Sequence, residues 1–561
     1  RVGMLSAAFV LIAGRLASAQ GTELKGQVSS LAQTIQSVQS GSKSYDQHVE
    51  FAEPAVVRYT YDETDQKGNK TSYAVEFNLA DIDPYAVREQ TQKDVITVSV
   101  VARNKEKLIK VYKNKVVQPY DAEIAIRAKD IDNGRAIADI IKKAIPLAEK
   151  VMANRLKLSG YNAMADWLVG NVKEVNFGDK SVSQSMTKGE HPGTFVFTRV
   201  EKDAKSSSEE VVGFNLADIN PNAVVYKITG NQFAISVEAP QKQKYFALRK
   251  DGAVKPYTNS FVISTNNADE ARDLKHVLTT AIPLAEKEVK ASMPSASSDK
   301  DALSKLAALV TTITYGEKEI TQAAEGGCLT TFTQVEKTAK ASSKNEQKFN
   351  WMDVNPLASK MDVSGEKVFI DLHFAGDKKL VMVTTDAGFK GYDNAATLYL
   401  PDIESARRAK VLLDLAVEKC KASYKEPFGN DAASTTSYFR SNIKDLVVDD
   451  MTLKQSIEPV EDGNNKFKYT AIEVTPKGSG GEEVYEFNLS DINPSSITTD
   501  VKGKWLYVVM ETNLKSKIIK AYKDGKIQPY ASSLTIAVND VDVARNLVSA
   551  LGKAVKALKA K

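Results

Sequence analysis

The chain has little of what small-molecule chemistry usually draws on. Two cysteines occur in 561 residues, Cys328 and Cys420, and they form no metal-ligand pattern. The four histidines are His48, His191, His276 and His373. None recurs at an equivalent place in the repeats described below, and neither a nucleophile–base triad nor a metal cluster is written in their spacing. Glycine-rich phosphate loops are absent: Gly478-Ser479-Gly480-Gly481 is not followed by Lys-Ser or Lys-Thr. Charge of one sign is also lacking. Seventy-five basic residues face 71 acidic ones, a net charge of +4, mixed along the chain with no stripe for nucleic acid or an anionic membrane. The sequence therefore predicts no catalytic residue, no cofactor, no bound metal, no nucleic-acid partner and no transmembrane anchor.

One apolar run exists, Met4 to Gly14, and it is too short to span a bilayer. Arg1 precedes it and Ala17-Ser18-Ala19 follows, the order of regions in a secretory leader. The expectation is an exported product, periplasmic or extracellular. In an oxidising compartment Cys328 and Cys420, both in one repeat, are expected to pair.

What the chain has in abundance is itself. Phe77-Asn-Leu-Ala-Asp-Ile-Asp-Pro84 returns at Phe214, Phe349 and Phe487, at intervals of 137, 135 and 138 residues. From each Phe the chain runs 43 residues to a Tyr (Tyr120, Tyr257, Tyr392, Tyr530) and 15 more to an Arg (Arg135, Arg272, Arg407, Arg545). Such spacing, kept four times, means one domain duplicated in register. The period is too long for a solenoid unit, so each copy is expected to carry its own core. The expected boundaries are a leader over 1–19, then repeats over 20–157, 158–297, 298–426 and 427–561. The linkers are short, as at Ser159-Gly160, and should restrict rotation between repeats.

Within a repeat, a helical pattern such as Leu303, Leu306, Leu309 and Val310 comes first. A strand ending near a shared Gln follows (Gln47, Gln184, Gln322, Gln455). Alternating strands come next, 56–61 and 72–77 in repeat one, with Asp-Gly hairpin turns at Asp251-Gly252 and Asp524-Gly525. A last strand leads to an Asp or Asn cap and a long amphipathic helix. Strands segregated from helices give an α+β class: four tandem copies of a mainly antiparallel domain, an opening helix before it and a closing helix after it. Six or seven strands in a meander closed by one C-terminal helix resemble the pleckstrin-homology-like barrel. The resemblance lies in element order and covers most of each repeat except the opening helix. Phosphoinositide-binding members of that family carry basic residues in the first hairpin. Here that stretch, Glu50 to Ala55, is acidic and apolar, and none of Trp167, Trp351 and Trp505 lies in a closing helix.

The repeated Asn-x-x-Asp-x-Asp/Asn offers oxygen ligands, with Asp81, Asp218, Asp353 and Asp491 its common carboxylates. A calcium site wants more carboxylates than this, and turn chemistry accounts for the residue types. The repeated Tyr reads as a packing residue. The repeated Arg (Arg135, Arg272, Arg407, Arg545) falls in the first turn of a helix, where its charge opposes the dipole. It therefore calls for a partner, expected to be a carboxylate of its own repeat such as the signature Asp; anion binding is the alternative. The function expected is an exported, non-enzymatic array of binding or scaffolding modules with a protein or cell-surface partner. Ligand or ion binding at one site per repeat, and an enzyme with an interdomain site, are the alternatives.

Overall fold

In the computed structural model, residues 21–92, 95–177, 180–202, 206–229, 232–460 and 465–559 are described. The expected leader lies outside them. The chain divides into two compact units, Arg1–Ser292 with repeats one and two, and Met293–Lys561 with repeats three and four.

Every repeat builds two antiparallel sheets. In repeat one the larger sheet runs Val38–Ser40, Lys43–Ala52, Val56–Thr64, Lys70–Asn78, Lys110–Lys113 and Val116–Val117 in spatial order. The smaller is Arg88–Gln92, Val95–Val101 and Glu123–Ala128. The same six-plus-three order recurs three times, with a two-residue strand, Gly478–Ser479, added beside the large sheet of repeat four. The α+β class holds, but the single meander and the closed barrel do not: no described sheet closes on itself. The signature is the reason. It ends the fourth strand and diverts the chain into the second sheet for two strands before it returns to the first. Strands adjacent in sequence are then not always adjacent in space.

Local chemistry fixes these elements. Alternation turns Val57 and Tyr59 inward, both at most 1% exposed, and Phe77 pairs in register with Val57. At Asp251-Gly252 both residues have positive φ (51° and 79°), the conformation a tight hairpin turn requires. Each closing helix starts on a capping side chain. Asp130, Asn267 and Asp402 accept the backbone N–H three residues on, at 2.7, 2.9 and 2.7 Å. The last closing helix, Val541–Lys559, buries Val541, Ala544, Leu547, Leu551 and Val555, a stripe at helical spacing. In repeats two to four the opening helix (Gly160–Asn171, Asp299–Ala307, Ala432–Ser441) lies along the closing helix.

The cores are not separate beads. Leu108 and Tyr120 of repeat one, 5% and 8% exposed, belong to the apolar cluster of repeat two with Phe233, Phe246 and Leu278. Repeat one thus completes the packing of repeat two.

Candidate functional site at the repeat–repeat contacts

The signature makes two successive turns. Its Asn accepts the N–H two residues on in all four copies: Asn78 from Ala80 (2.9 Å), Asn215 from Ala217 (2.9 Å), Asn350 from Met352 (3.0 Å) and Asn488 from Ser490 (3.0 Å). The residue before Pro repeats the move. Asp83 accepts from Tyr85 at 2.9 Å and Asn220 from Asn222 at 3.0 Å. Phe77, Phe214, Phe349 and Phe487 are at most 5% exposed. The side chain at the middle Asp is left over, and in repeats one and three it leaves the repeat, joined in repeat three by Asn350, whose Nδ2 donates to Asp542 at 3.0 Å.

Arg272, in the closing helix Ala268–Ala291, grips Asp81 of repeat one with two parallel donors. Nε donates to Oδ1 at 2.8 Å and Nη2 to Oδ2. Both side chains are nearly buried, 12% and 9% exposed. The second unit repeats the contact: Arg545 Nη1 donates to Asp353 Oδ2 at 2.5 Å, across 192 residues. Each Arg is also braced by an acid one turn earlier in its own helix, Asp269 and Asp542. The expected intradomain partner is therefore only half of the answer. The signature Asp that the Arg meets belongs to the preceding repeat.

The remaining candidates fall in different settings. Asp218 is buried, 6% exposed. Arg407 lies 3.6 Å from its bracing acid Glu404. Arg135, 63% exposed, holds Asp132 at 3.2 Å and lies 3.8 Å from Glu89 of its own repeat. Asp491 is half-buried, and among the described residues its carboxylate has no hydrogen-bond or ion-pair partner.

Burial sets the electrostatics. It works against the charge on Arg272, but Asp81 and Asp269 outweigh it and hold the guanidinium more firmly protonated than usual. For Asp353 burial wins. Its carboxyl is pushed up to about 6, despite Arg545, with Asp542 pushing the same way. Around these pairs the contact is apolar and polar by turns. The ring of Tyr120 meets Phe233 edge-on, centroids 4.4 Å apart. Lys275 reaches Glu106 at 3.4 Å and sits 4.3 Å over the Tyr226 ring. In the second unit Lys378 donates to Thr498 at 2.7 Å, and burial pushes the Tyr392 hydroxyl up to about 12. Of the repeated Tyr, Tyr120 packs on the neighbouring repeat and Tyr392 reaches the Asn539 carbonyl of its neighbour at 3.5 Å, whereas Tyr530 is 48% exposed.

The shared Gln proves to be a staple between the two sheets of one repeat. Gln184 Nε2 donates to the carbonyls of Lys173 (3.0 Å) and Ser264 (2.5 Å), and its Oε1 accepts the Ser264 N–H at 3.1 Å. Gln322 does the same with Thr311 and Tyr399, at 3.1, 2.9 and 3.0 Å. The sequence carried the signal, a polar residue at one alternating position in every copy, but not the two-sheet geometry that gives it meaning.

Cys328 and Cys420 form a disulfide, with Cα atoms 5.6 Å apart and a separation of 92 in sequence. Asp299 lies beside it, making the one metal-like grouping among the described residues. Sulfurs tied to each other are not thiolate ligands, so this grouping holds no metal. Two clefts occur away from the repeat contacts. One of about 400 Å³ in repeat two is lined by Arg199, Lys202, Lys227 and Ser264. Another of about 480 Å³ in repeat three is lined by Leu303, Leu306, Phe332, Phe349 and Trp351. Neither includes a signature Asp or a repeated Arg, and the two are not at equivalent places. Comparison with family profiles, curated proteins and solved structures finds no match to this chain.

Proposed function

We propose that the chain is an exported, non-enzymatic scaffold whose repeats are locked in pairs, one with two and three with four, by the signature Asp of the first repeat and the helix Arg of the second in each unit. The observation that carries this reading is the recurrence of that contact in both units, Asp81 with Arg272 and Asp353 with Arg545. Residues kept in every copy go to holding copies together, and a fixed spacing of surfaces is what a scaffold needs. The disulfide supports an oxidising destination, where a protein or cell-surface partner is met. No helix of the described residues is long and apolar enough to cross a membrane.

One site per repeat for a ligand or calcium ion is the weaker reading, because two of the four carboxylates it requires are already engaged by Arg. Element order alone supports the pleckstrin-homology-like likeness; with Glu50 and Glu53 in the first hairpin, headgroup binding is no part of the proposal.

Small-angle scattering of the full chain tests the reading. The double variant Arg272→Ala, Arg545→Ala should expand relative to the wild type as the two pairs of repeats loosen, while circular dichroism stays unchanged. A variant profile identical to wild type contradicts a spacing role.

A further inference from the structure

The contact that joins repeats is directional, and among the described residues repeat four leaves the giving half of it open and repeat one the receiving half. Repeat one gives its neighbour Asp81, Leu108 and Tyr120, which are 9%, 5% and 8% exposed. Repeat three does likewise with Asp353, 7% exposed, on Arg545 and with Tyr392, whose hydroxyl lies 3.5 Å from the Asn539 carbonyl; Leu380, at the place of Leu108, is 7% exposed. The equivalent residues of repeat four are Asp491, Ile518 and Tyr530. Here the same face is open. Ile518 is 46% and Tyr530 48% exposed, and the Asp491 carboxylate has no hydrogen-bond or ion-pair partner among the described residues.

A second observation points the same way. Leu514 is 96% exposed and has φ of 56°, a left-handed conformation that costs a leucine free energy. Other repeats place Asn104, Gln241 and Gly376 there, residues that suit the turn better or stay polar. Leu514 stands on the loop that in repeat one carries Glu106 to Lys275. A large apolar side chain at that point is unfavourable in water and fitting in a contact.

The complementary half is on repeat one. Arg135 occupies the place of Arg272 and Arg545, 63% exposed, beside its bracing acid Asp132. Ile96, half-buried, stands where Phe233 receives Tyr120 in repeat two.

We infer that the chain associates head to tail with second copies of itself. Repeat four of one copy docks on repeat one of the next, Asp491 on Arg135, with Ile518, Tyr530 and Leu514 covered. The contact continues the one already built twice inside the chain, and the charges are complementary. The ion pair sets register, and the apolar side chains and the aromatic anchor supply affinity. Because the two faces differ, the association is heterologous and yields rings or open filaments rather than a closed two-fold dimer. This inference rests on the scaffold reading of the repeats.

Sedimentation velocity of the full chain across the micromolar range tests it by charge exchange. Wild type should sediment faster as concentration rises. Asp491→Arg alone and Arg135→Asp alone should remain monomeric, since each puts like charges at the contact. Mixed one to one, the two variants should associate again, because the exchanged pair is restored and the second junction is native. Tyr530→Asp, at an exposed position outside the ion pair, should also be monomeric, and circular dichroism should show all variants folded. A wild type that stays monomeric, single variants that assemble like wild type, or a mixture that fails to recover would each overturn the inference. A monomeric wild type whose scattering still expands in Arg272→Ala, Arg545→Ala would overturn the assembly and leave the scaffold reading standing, whereas a profile unchanged by that double variant would remove both.

Discussion

Arg272 and Asp81 lie 191 residues apart in sequence and meet as a two-point ion pair, Nε to Oδ1 at 2.8 Å, with both side chains almost out of water. Such a pair joins repeats by geometry more than by net energy, because desolvating two charges cancels most of their attraction.

That balance makes the two partners unequal. Arg545→Met strands the buried carboxylate of Asp353 and the half-buried one of Asp542 and should cost about 3 to 5 kcal/mol at neutral pH. Asp353→Asn removes a carboxylate that burial already disfavours, and should be neutral or stabilising. Urea unfolding of the two variants, followed through the transition that includes repeats three and four, checks the order. Equal losses would show that the pair is held by attraction alone.

The same carboxyl gives a pH signature. In the folded chain Asp353 holds its proton up to about 6, whereas an unfolded Asp releases it near the usual value of about 4. The folded form binds more protons across that window, so this group's contribution is fully present below it and is lost as pH rises through about 6. Stability of Asp353→Asn measured from acid to neutral pH should lack this decline. A decline identical to wild type would place the titration elsewhere.

Gln184 should tolerate no acid. Gln184→Glu turns a carboxylate oxygen toward the carbonyls of Lys173 and Ser264, replacing two donated hydrogen bonds by repulsion. A loss of at least about 1 to 3 kcal/mol is expected, the cost of leaving buried polar groups unsatisfied. Thermal unfolding of the first unit reads it, and an unchanged midpoint would contradict the staple.

Reduction should act on one unit only. The Cys328–Cys420 bridge spans 92 residues, and a loop of that size implies about 3 to 5 kcal/mol of stabilisation. Unfolding with and without reductant should shift the transition of repeats three and four and leave that of repeats one and two in place. A shift in both would mean that their stabilities are coupled.

Much of this was legible in sequence because it is local. The Asn turns, the capped closing helices and the Asp-Gly hairpins each depend on residues within four positions of one another. Two things were not. The division into two sheets depends on pairings such as Val75 with Val111, and alternation marks both as strand residues without saying which neighbour each takes. The partner of the repeated Arg was hidden for a different reason. Every copy carries the same Asp at the same offset, so letters alone cannot distinguish an Arg that meets its own signature from one that meets the signature before it. The bracing acids Asp132, Asp269, Glu404 and Asp542 recur at one offset too and were the signal overlooked.

Cross-repeat protection is the direct test of the central claim. Hydrogen exchange should be followed by mass spectrometry in the segments 104–122 of repeat one and 376–394 of repeat three. These include Leu108 and Tyr120, and Leu380 and Tyr392, at equivalent places. Arg272→Met, made in repeat two, should speed exchange in 104–122 and leave 376–394 as in wild type; Arg545→Met should do the converse. Changes confined to the repeat that carries the substitution, or no change in either segment, would contradict a lock formed between one repeat and the next.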